Sequence, residues 1–558
     1  MKKTIQQTVT RIAMLCLVLV LATAKMTAQI NYLTAKPMSD VISTPLQPVN
    51  GFIKLPYITW GGDLQTILAK QEGLLSVTLF KEDDFQKQVQ MCLKGETPAI
   101  RGTMGMINAA AELFQKQGTD LVVVVGLTTS EGGDCMVTRS GKSLNNISTV
   151  ALQLYGPHMD YAANLFESSN RLGKVQFKWL QNLTIANKVD GKIVDPVSAF
   201  QKDNTLDAVM CISPDAALLT SGGVGSGTDN SVKGASVLVS TKTASKIIYD
   251  VYAFRKDFYT AHTEEVKSFV KAMFLAEEHL RDLRTNTKNP KYTALIAEGA
   301  KDFGLPAADV IGMLGDCRFL AYNGNVSFFT GKGTTRSFVA LNKEIQTSFK
   351  AMGIMKSSYN LLQANWEYST MASGLKNATA VAAPKFDEKK LAGVVEKTIA
   401  AESNAWEEKG TLFKVEIYFQ PNQNVFSADQ YAADFQKAIK IAQTYSGAVV
   451  VIEGHSDHGG VQKAKQKGTS AAEIKQMTQV AKNLSLERAT NVKKSFLDYA
   501  KTKGLVMDAS QLLPVGRGIE SPKYVKPSTK EEWEENFRVV FLIKQMEAES
   551  DVFDPKAY

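Results

Sequence analysis

Residues 454–460 read GHSDHGG and follow the apolar run AVVVIE, so His455 and His458, two of the chain's five histidines, flank Asp457 just past an expected strand. Imidazoles and a carboxylate so spaced offer two chemistries: metal ligation, or a charged floor for a binding groove. A zinc site takes three or four ligands in a tetrahedral arrangement. His455 and His458 stand three apart on a loop rather than on one helix face, and no cysteine pair lies near. The other histidines (His158, His262 and His279) fall in the front half of the chain, and neither HExxH nor CxxC occurs. The residues argue against a metal centre, and no cofactor is called for. Spacing places no Ser-His-Asp, Cys-His or paired-carboxylate arrangement either, which argues against an enzyme.

These side chains must be positioned by elements, and 558 residues are too many for one core. A hydrophobic content of 44% with 22% charged residues is that of a globular chain. The first residues differ. Lys2, Lys3 and Arg11 precede the apolar run IAMLCLVLVLATA (12–24), and small residues follow, the pattern of a secretory signal peptide over 1–28. Thirteen apolar residues fall short of the roughly 20 that span a bilayer. Cleavage after Ala28 or Ala24 fits, and Cys16 lacks the small-residue pair of a lipoprotein anchor. Loss of 1–28 removes Lys2, Lys3, Arg11 and Lys25 and no acid, lowering the net charge from +8 to +4. So mild an excess gives no argument for nucleic acid as a partner. Cys92, Cys135, Cys211 and Cys317 are widely spaced, allow three pairings, and are expected mostly as buried thiols.

Residues 29–50 read as an extended lead-in. From 51 onward GFIKLPYITW, LLSVTLF, LVVVVGL, TVALQLY, VQFKWL and DAVMCI are short apolar runs alternating with helical stretches such as MDYAANLFESS. This alternation predicts α/β layers with largely parallel sheets. AHTEEVKSFVKAMFLAEEHLRDL (261–283) has the period of a long amphipathic helix. Residues 376–409, rich in Ala, Lys and Glu, read as a linker with a helical part. A second α/β unit is expected over 410–546, followed by a tail, 547–558.

TWGGDLQTILA (59–69), SEGGDCMVTRSGKSLNNI (130–147), DPVSAFQKDNTLDAVMCISPD (195–215) and YAFRKDFYTAHTEEVKSFVKAMFLAEE (252–278) resemble segments of the periplasmic solute-binding proteins of nitrate/sulfonate/taurine transporters. The resemblance covers about 300 residues. It implies a two-lobed, type II-like binding-protein fold over 51–375, with the second lobe at about 131–245, an ABC permease as partner and a small, anionic solute in the interlobe cleft. Backbone amides at helix starts suit anions. The candidate contacts are Thr59, Trp60 and Gly61; Gly102 and Thr103; and Ser130 and Glu131. Tyr155, Gly156, His158 and Asp215 would face them from the second lobe. Glu131 and Asp215 count against a simple anion site, or point to a solute with an ammonium group.

The later motifs are KVEIYF, GHSD, LSLERA (484–489), the GxGxxxP turn in VGRGIESP, and NFRV (536–539). In this order they resemble the OmpA-like peptidoglycan-binding domain over 411–545. The resemblance implies that Asp457 and Arg488 hold the diaminopimelate of peptide stems, a carboxylate for its ammonium and a guanidinium for its carboxylate. A helix beginning near Leu484 would add amide donors. The chain departs from the pattern at Ala481, where Asn is usual, and at Phe537, where an Arg is lost. It also carries a Lys-rich insert, VQKAKQKGTSAAEIKQMTQVAK (461–482), expected to cover or extend the groove. The two resemblances together imply an exported, periplasmic, non-enzymatic protein associated with the cell wall or outer membrane. The alternative is a solute-free docking module of an envelope complex on the same anchor.

Overall fold

The computed structural model describes residues 29–185, 188–227, 230–376, 378, 386–401, 406–408, 410–418 and 428–545. The expected signal peptide and tail lie outside these residues. The front unit holds two five-stranded sheets beside a small parallel pair, β1 (Lys54–Tyr57) and β2 (Thr78–Lys81). After β3 (Ala99–Thr103) and α1 (Met104–Lys116) comes β4 (Leu121–Ser130), whose residues are all buried. A strand covered on both faces reads as an unbroken apolar run, as LVVVV does. The chain then crosses into a second lobe: β5 (Asp134–Thr138), β6 (Thr149–Gln153), α2 (His158–Ser168), β7 (Gln176–Leu180), β8 (Ala208–Ile212) and β9 (Ser236–Ser240). It returns through 241–248 to β10 (Tyr249–Arg255), followed by the long helix α3 (Thr263–Thr285), then β11 (Cys317–Phe319), α4 (Phe338–Ala351) and β12 (Leu361–Gln363).

Neither sheet is largely parallel, contrary to the sequence expectation. In the order β7-β6-β8-β5-β9, β6 pairs in parallel with β7 and β8, whereas β5 is antiparallel to β8 and β9. In the first lobe β10 runs antiparallel to β3 and β4. The cause is topological: β5 and β10 are the first strands after each crossing, and each enters its sheet against its neighbours. Cys92, Cys135, Cys211 and Cys317 are buried, unbonded thiols.

Some of the described residues of 376–409 pack on the C-terminal unit. Within them α5 (Glu388–Ala401) and Trp406 cover one face of the C-terminal sheet, packing Leu391, Val395 and the indole on Val449, Val451, Val540 and Leu542. That sheet has the order β13-β16-β14-β15, with β13 Thr411–Tyr418, β14 Val449–His455, β15 Leu512–Gly518 and β16 Arg538–Lys544. Val450 and Ile452 point to the other face, as the two-residue period of a strand requires. There they meet α6 (Ala432–Thr444) and α8 (Ala471–Thr502), with α7 (Gly459–Gln466) between β14 and α8. Phe435, Phe496 and Phe541 pack edge to face or tilted at this centre. Among the described residues no helix is long and apolar enough to cross a membrane.

Candidate functional site

The C-terminal loop is built from close backbone approaches. A Cβ on Gly454 would stand 1.9 Å from the Ser485 carbonyl oxygen, so only glycine lets α8 lie on the end of β14. Ser485, the serine of LSLERA, is buried and accepts from the Gly518 amide at 2.8 Å, tying the helix to the end of β15. Arg488 follows one turn later. Its Nη1 donates to the His455 carbonyl oxygen at 2.6 Å, and its guanidinium lies 5.7 Å from the Phe537 ring centroid. Burial lowers its pKa. Among the described residues no carboxylate lies within ion-pair distance of it.

Asp457 sits on the same loop. Its Oδ2 accepts from the Gly459 amide at 2.6 Å, and its Oδ1 from Asn536 Nδ2 at 3.2 Å. Asn536 also bonds the Tyr524 backbone in both directions, at 2.9 and 3.0 Å, and so sets the loop ahead of it. Asn536 was legible as part of NFRV, but nothing in the sequence showed that it would hold Asp457. The Asp457 side chain is 6% exposed and Arg488 7%, so each shows only an edge to solvent.

The Lys-rich insert folds as α7 and the first turns of α8, whose residues from Ala471 to Leu484 are largely exposed. Leu484 is therefore in mid-helix, and the amide donors expected there are bonded within α8. The helix starts thirteen residues earlier, at a capping box of Ser470 and Glu473. The strong cap and the run of good helix formers explain this early start.

His455 is buried and held neutral, its pKa lowered by desolvation. His458 bonds the Val525 carbonyl oxygen at 2.7 Å. A metal-like grouping not visible in the sequence lies behind the loop, where Glu407, Glu453 and His455 bring ligand atoms within 4.8 Å of one another. Protein cations already neutralise it. Arg517 lies 3.7 Å from Glu453, Arg538 3.6 Å from Glu407, and Lys414 2.8 Å from Glu407. This chemistry suits a structural polar cluster better than a metal.

The interlobe candidates divide into two groups. Ser130 and His158 come together on Asp134, a residue the sequence reading passed over, and Asp215 lies near His158. Asp134 Oδ2 accepts from Ser130 Oγ at 2.6 Å, and Oδ1 pairs with His158 Nε2 at 2.7 Å. His158 in turn lowers the pKa of nearby Asp215, although burial dominates and raises it to about 6. Trp60 reaches this region too: its Nε1 donates to Thr128 Oγ1 at 3.3 Å, and its ring leaves no room for a Cβ on Gly133. Glu131 faces Arg318 at 3.8 Å.

The second group points elsewhere. Thr59 bonds Asp83 through both its amide and hydroxyl. Gly61 lies against the Met313 carbonyl and Gly102 against Phe85. Thr103 caps α1, accepting from the Met106 amide. Tyr155 donates to the Lys36 carbonyl in the lead-in, and Gly156 lies against the Gln153 side chain.

Where the lobes meet, the chain places a carboxyl group of its own. Asp160, buried in the first turn of α2, lies against the first turn of α1, where a Cβ on Gly105 would come within 2.9 Å of its carboxyl carbon. Burial outweighs the amides of its own turn and raises its pKa to about 7. Asp316, on the far side of Asp134, is raised to about 6 by burial first and then by Asp134.

No family model matches the chain, and no curated protein matches it. Solved structures with similarity to the front part of the chain are binding proteins by their descriptions. The alkanesulfonate-binding protein SsuA of Xanthomonas axonopodis pv. citri, bound to MOPS, is 14% identical, covering 57% of this chain and 100% of that one, with a TM-score of 0.38. A putative periplasmic sulfonate-binding protein SsuA of Methylobacillus flagellatus KT is 13% identical, covering 59% and 96%, with a TM-score of 0.40. The periplasmic nitrate-binding protein NrtA of Synechocystis PCC 6803 is 11% identical, covering 58% and 89%, with a TM-score of 0.38. Similarity at this level assigns neither a ligand nor a site to this chain.

Proposed function

We propose that this chain is an exported, non-enzymatic, two-lobed solute-binding protein held on peptidoglycan by its C-terminal unit. The observation that carries the anchor is the arrangement of Asp457 and Arg488. Asp457 is on the GHSD loop and Arg488 reaches that loop from α8, yet Arg488 donates to a backbone carbonyl and Asp457 accepts from an amide and Asn536. Opposite charges on one loop region, each bonded to neutral groups rather than to each other, suit a ligand end carrying both ammonium and carboxylate, as diaminopimelate does. Retention on purified sacculi tests this: the wild-type chain pellets with them, and the Asp457→Ala, Arg488→Ala double variant stays in solution. Equal retention of both would sink the anchor.

For the front unit, Asp134, Asp215 and Asp316 favour a small solute with an ammonium group over the anion expected from helix starts. A second reading, a docking module without solute, draws on Asp160, whose carboxyl group already fills the meeting point of α1 and α2. A thermal-shift series with amino acids, amines, sulfonates and nitrate separates the two. Stabilisation by an ammonium compound supports the first, and a flat series with a copurifying envelope partner supports the second.

A further inference from the structure

The C-terminal unit meets the front unit where Val506 pairs with Gly333 at 3.0 Å, where Lys440 pairs with Glu344 at 2.7 Å, and at a turn that lies across the return crossing between the lobes. That turn follows α6 and leads directly into β14. Its Gly447 amide donates to the Thr243 carbonyl at 3.2 Å, its Thr444 carbonyl accepts from the Lys246 amide at 3.2 Å, and Ser446 Oγ meets Ser245 Oγ at 2.6 Å. The crossing segment is thus held by two backbone bonds and a hydroxyl pair from another unit. The fit is close, since a Cβ on Gly447 would stand 1.7 Å from the Lys242 carbonyl oxygen. Gly447 has no left-handed φ, so contact alone demands glycine here.

The same turn grips both sides of the crossing. Tyr445, fully buried, donates its hydroxyl to Asn164 Oδ1 at 3.0 Å on α2 of the second lobe. Gln443 Oε1 accepts from both the amide and the hydroxyl of Thr335 at 2.7 Å, just ahead of α4, which packs on α1 and α2 alike. One apolar cluster runs unbroken from the first lobe through Tyr445 into the C-terminal core.

We infer that the C-terminal unit is a brace: through the turn at Gln443–Gly447 it locks the crossing and holds the two lobes in one relative orientation. A two-lobed protein changes state by bending at its crossings. A crossing bonded to a third body cannot bend without breaking those bonds or carrying that body along. The loop bearing Asp457 lies at the opposite end of β14, about 20 Å away for a seven-residue strand. Bracing and wall binding are therefore separable by mutation.

The test uses the full mature chain with spin labels at Lys87→Cys in the first lobe and Lys202→Cys in the second, the native cysteines being buried. Wild type gives one narrow interlobe distance, and Gly447→Val, which pushes the turn off the Lys242 carbonyl, gives a broadened or shifted one with unchanged retention on sacculi. Should Gly447→Val not fold, the Tyr445→Phe, Gln443→Ala variant keeps most of the volume, removes the side-chain bonds to Asn164 and Thr335 and is read in the same way. A broad distribution in wild type overturns the brace. So does an unchanged distance in a variant whose 242–246 amides have lost protection from hydrogen exchange.

Discussion

Arg488 Nη1 donates to the His455 carbonyl oxygen at 2.6 Å, and this bond joins LSLERA on α8 to the GHSD loop at the end of β14. It fixes the guanidinium without neutralising it. A carbonyl takes one N–H of the five that a guanidinium offers, which leaves donors for a carboxylate.

Titration with a diaminopimelate-containing stem peptide separates charge from shape at this loop. Loss of a hydrogen bond to a charged group costs about 1.5–3 kcal/mol, so Arg488→Ala and Asp457→Ala each weaken binding by roughly 10- to 150-fold. Asn536→Ala leaves both charges in place but frees Asp457, and a loss of about fivefold is expected, near 1 kcal/mol. An Asn536→Ala loss as large as that of Asp457→Ala would show Asn536 to be a ligand contact.

Gly454→Ala forces a methyl group towards the Ser485 carbonyl, and overpacking of this kind costs about 1–3 kcal/mol. The urea unfolding midpoint of the C-terminal transition falls accordingly. An unchanged midpoint would mean that α8 can shift away from β14 freely.

Trp406 decides whether 376–409 is a linker. Replacing this fully buried indole with alanine removes the cover of Val451 and Val540 and is expected to cost about 3–5 kcal/mol. A substitution in a true linker stays within about 0.5 kcal/mol. Denaturant melts of Trp406→Ala distinguish the two.

Asp160 gives the front unit a pH signature. Its folded-state pKa, about 7, lies above the ordinary 3.8, so between these values the folded chain holds a proton that the unfolded chain has released. Its contribution is present at low pH and is lost as pH rises from about 4 to about 7, by at most roughly 4 kcal/mol. Asp160→Asn cannot titrate, so its stability relative to wild type rises across that window and levels off above it. Thermal melts of both proteins from pH 4 to pH 8 check the sign, and parallel curves would place Asp160 in contact with water.

Much of the chain was legible where local pattern and burial agree. The apolar run LVVVV is β4, and the 3.6-residue period over 261–283 is α3 within two residues at each end. The interlobe candidates were less so. Thr59, Thr103 and Tyr155 occupy the expected strand-to-helix turns, yet their polar atoms serve Asp83, the Met106 amide and the Lys36 carbonyl. Strand-to-helix turns recruit small and polar residues whether or not a ligand is near. Asp134 was overlooked because its partners, Ser130 and His158, come from two other elements.

By itself the sequence determined the α/β character and many of the individual strands and helices. These are properties of short windows, where periodicity and turn chemistry act over a few residues. The tertiary structure alone decided that Ala481 to Leu484 lie inside a helix begun at Ser470, that Glu388–Ala401 and Trp406 cover a sheet face, and that Asp160 fills the contact between the lobes. It also decided that a turn at Gly447 grips the crossing at Thr243. Each of these joins residues far apart in the chain, and burial against a distant surface leaves no local pattern to read.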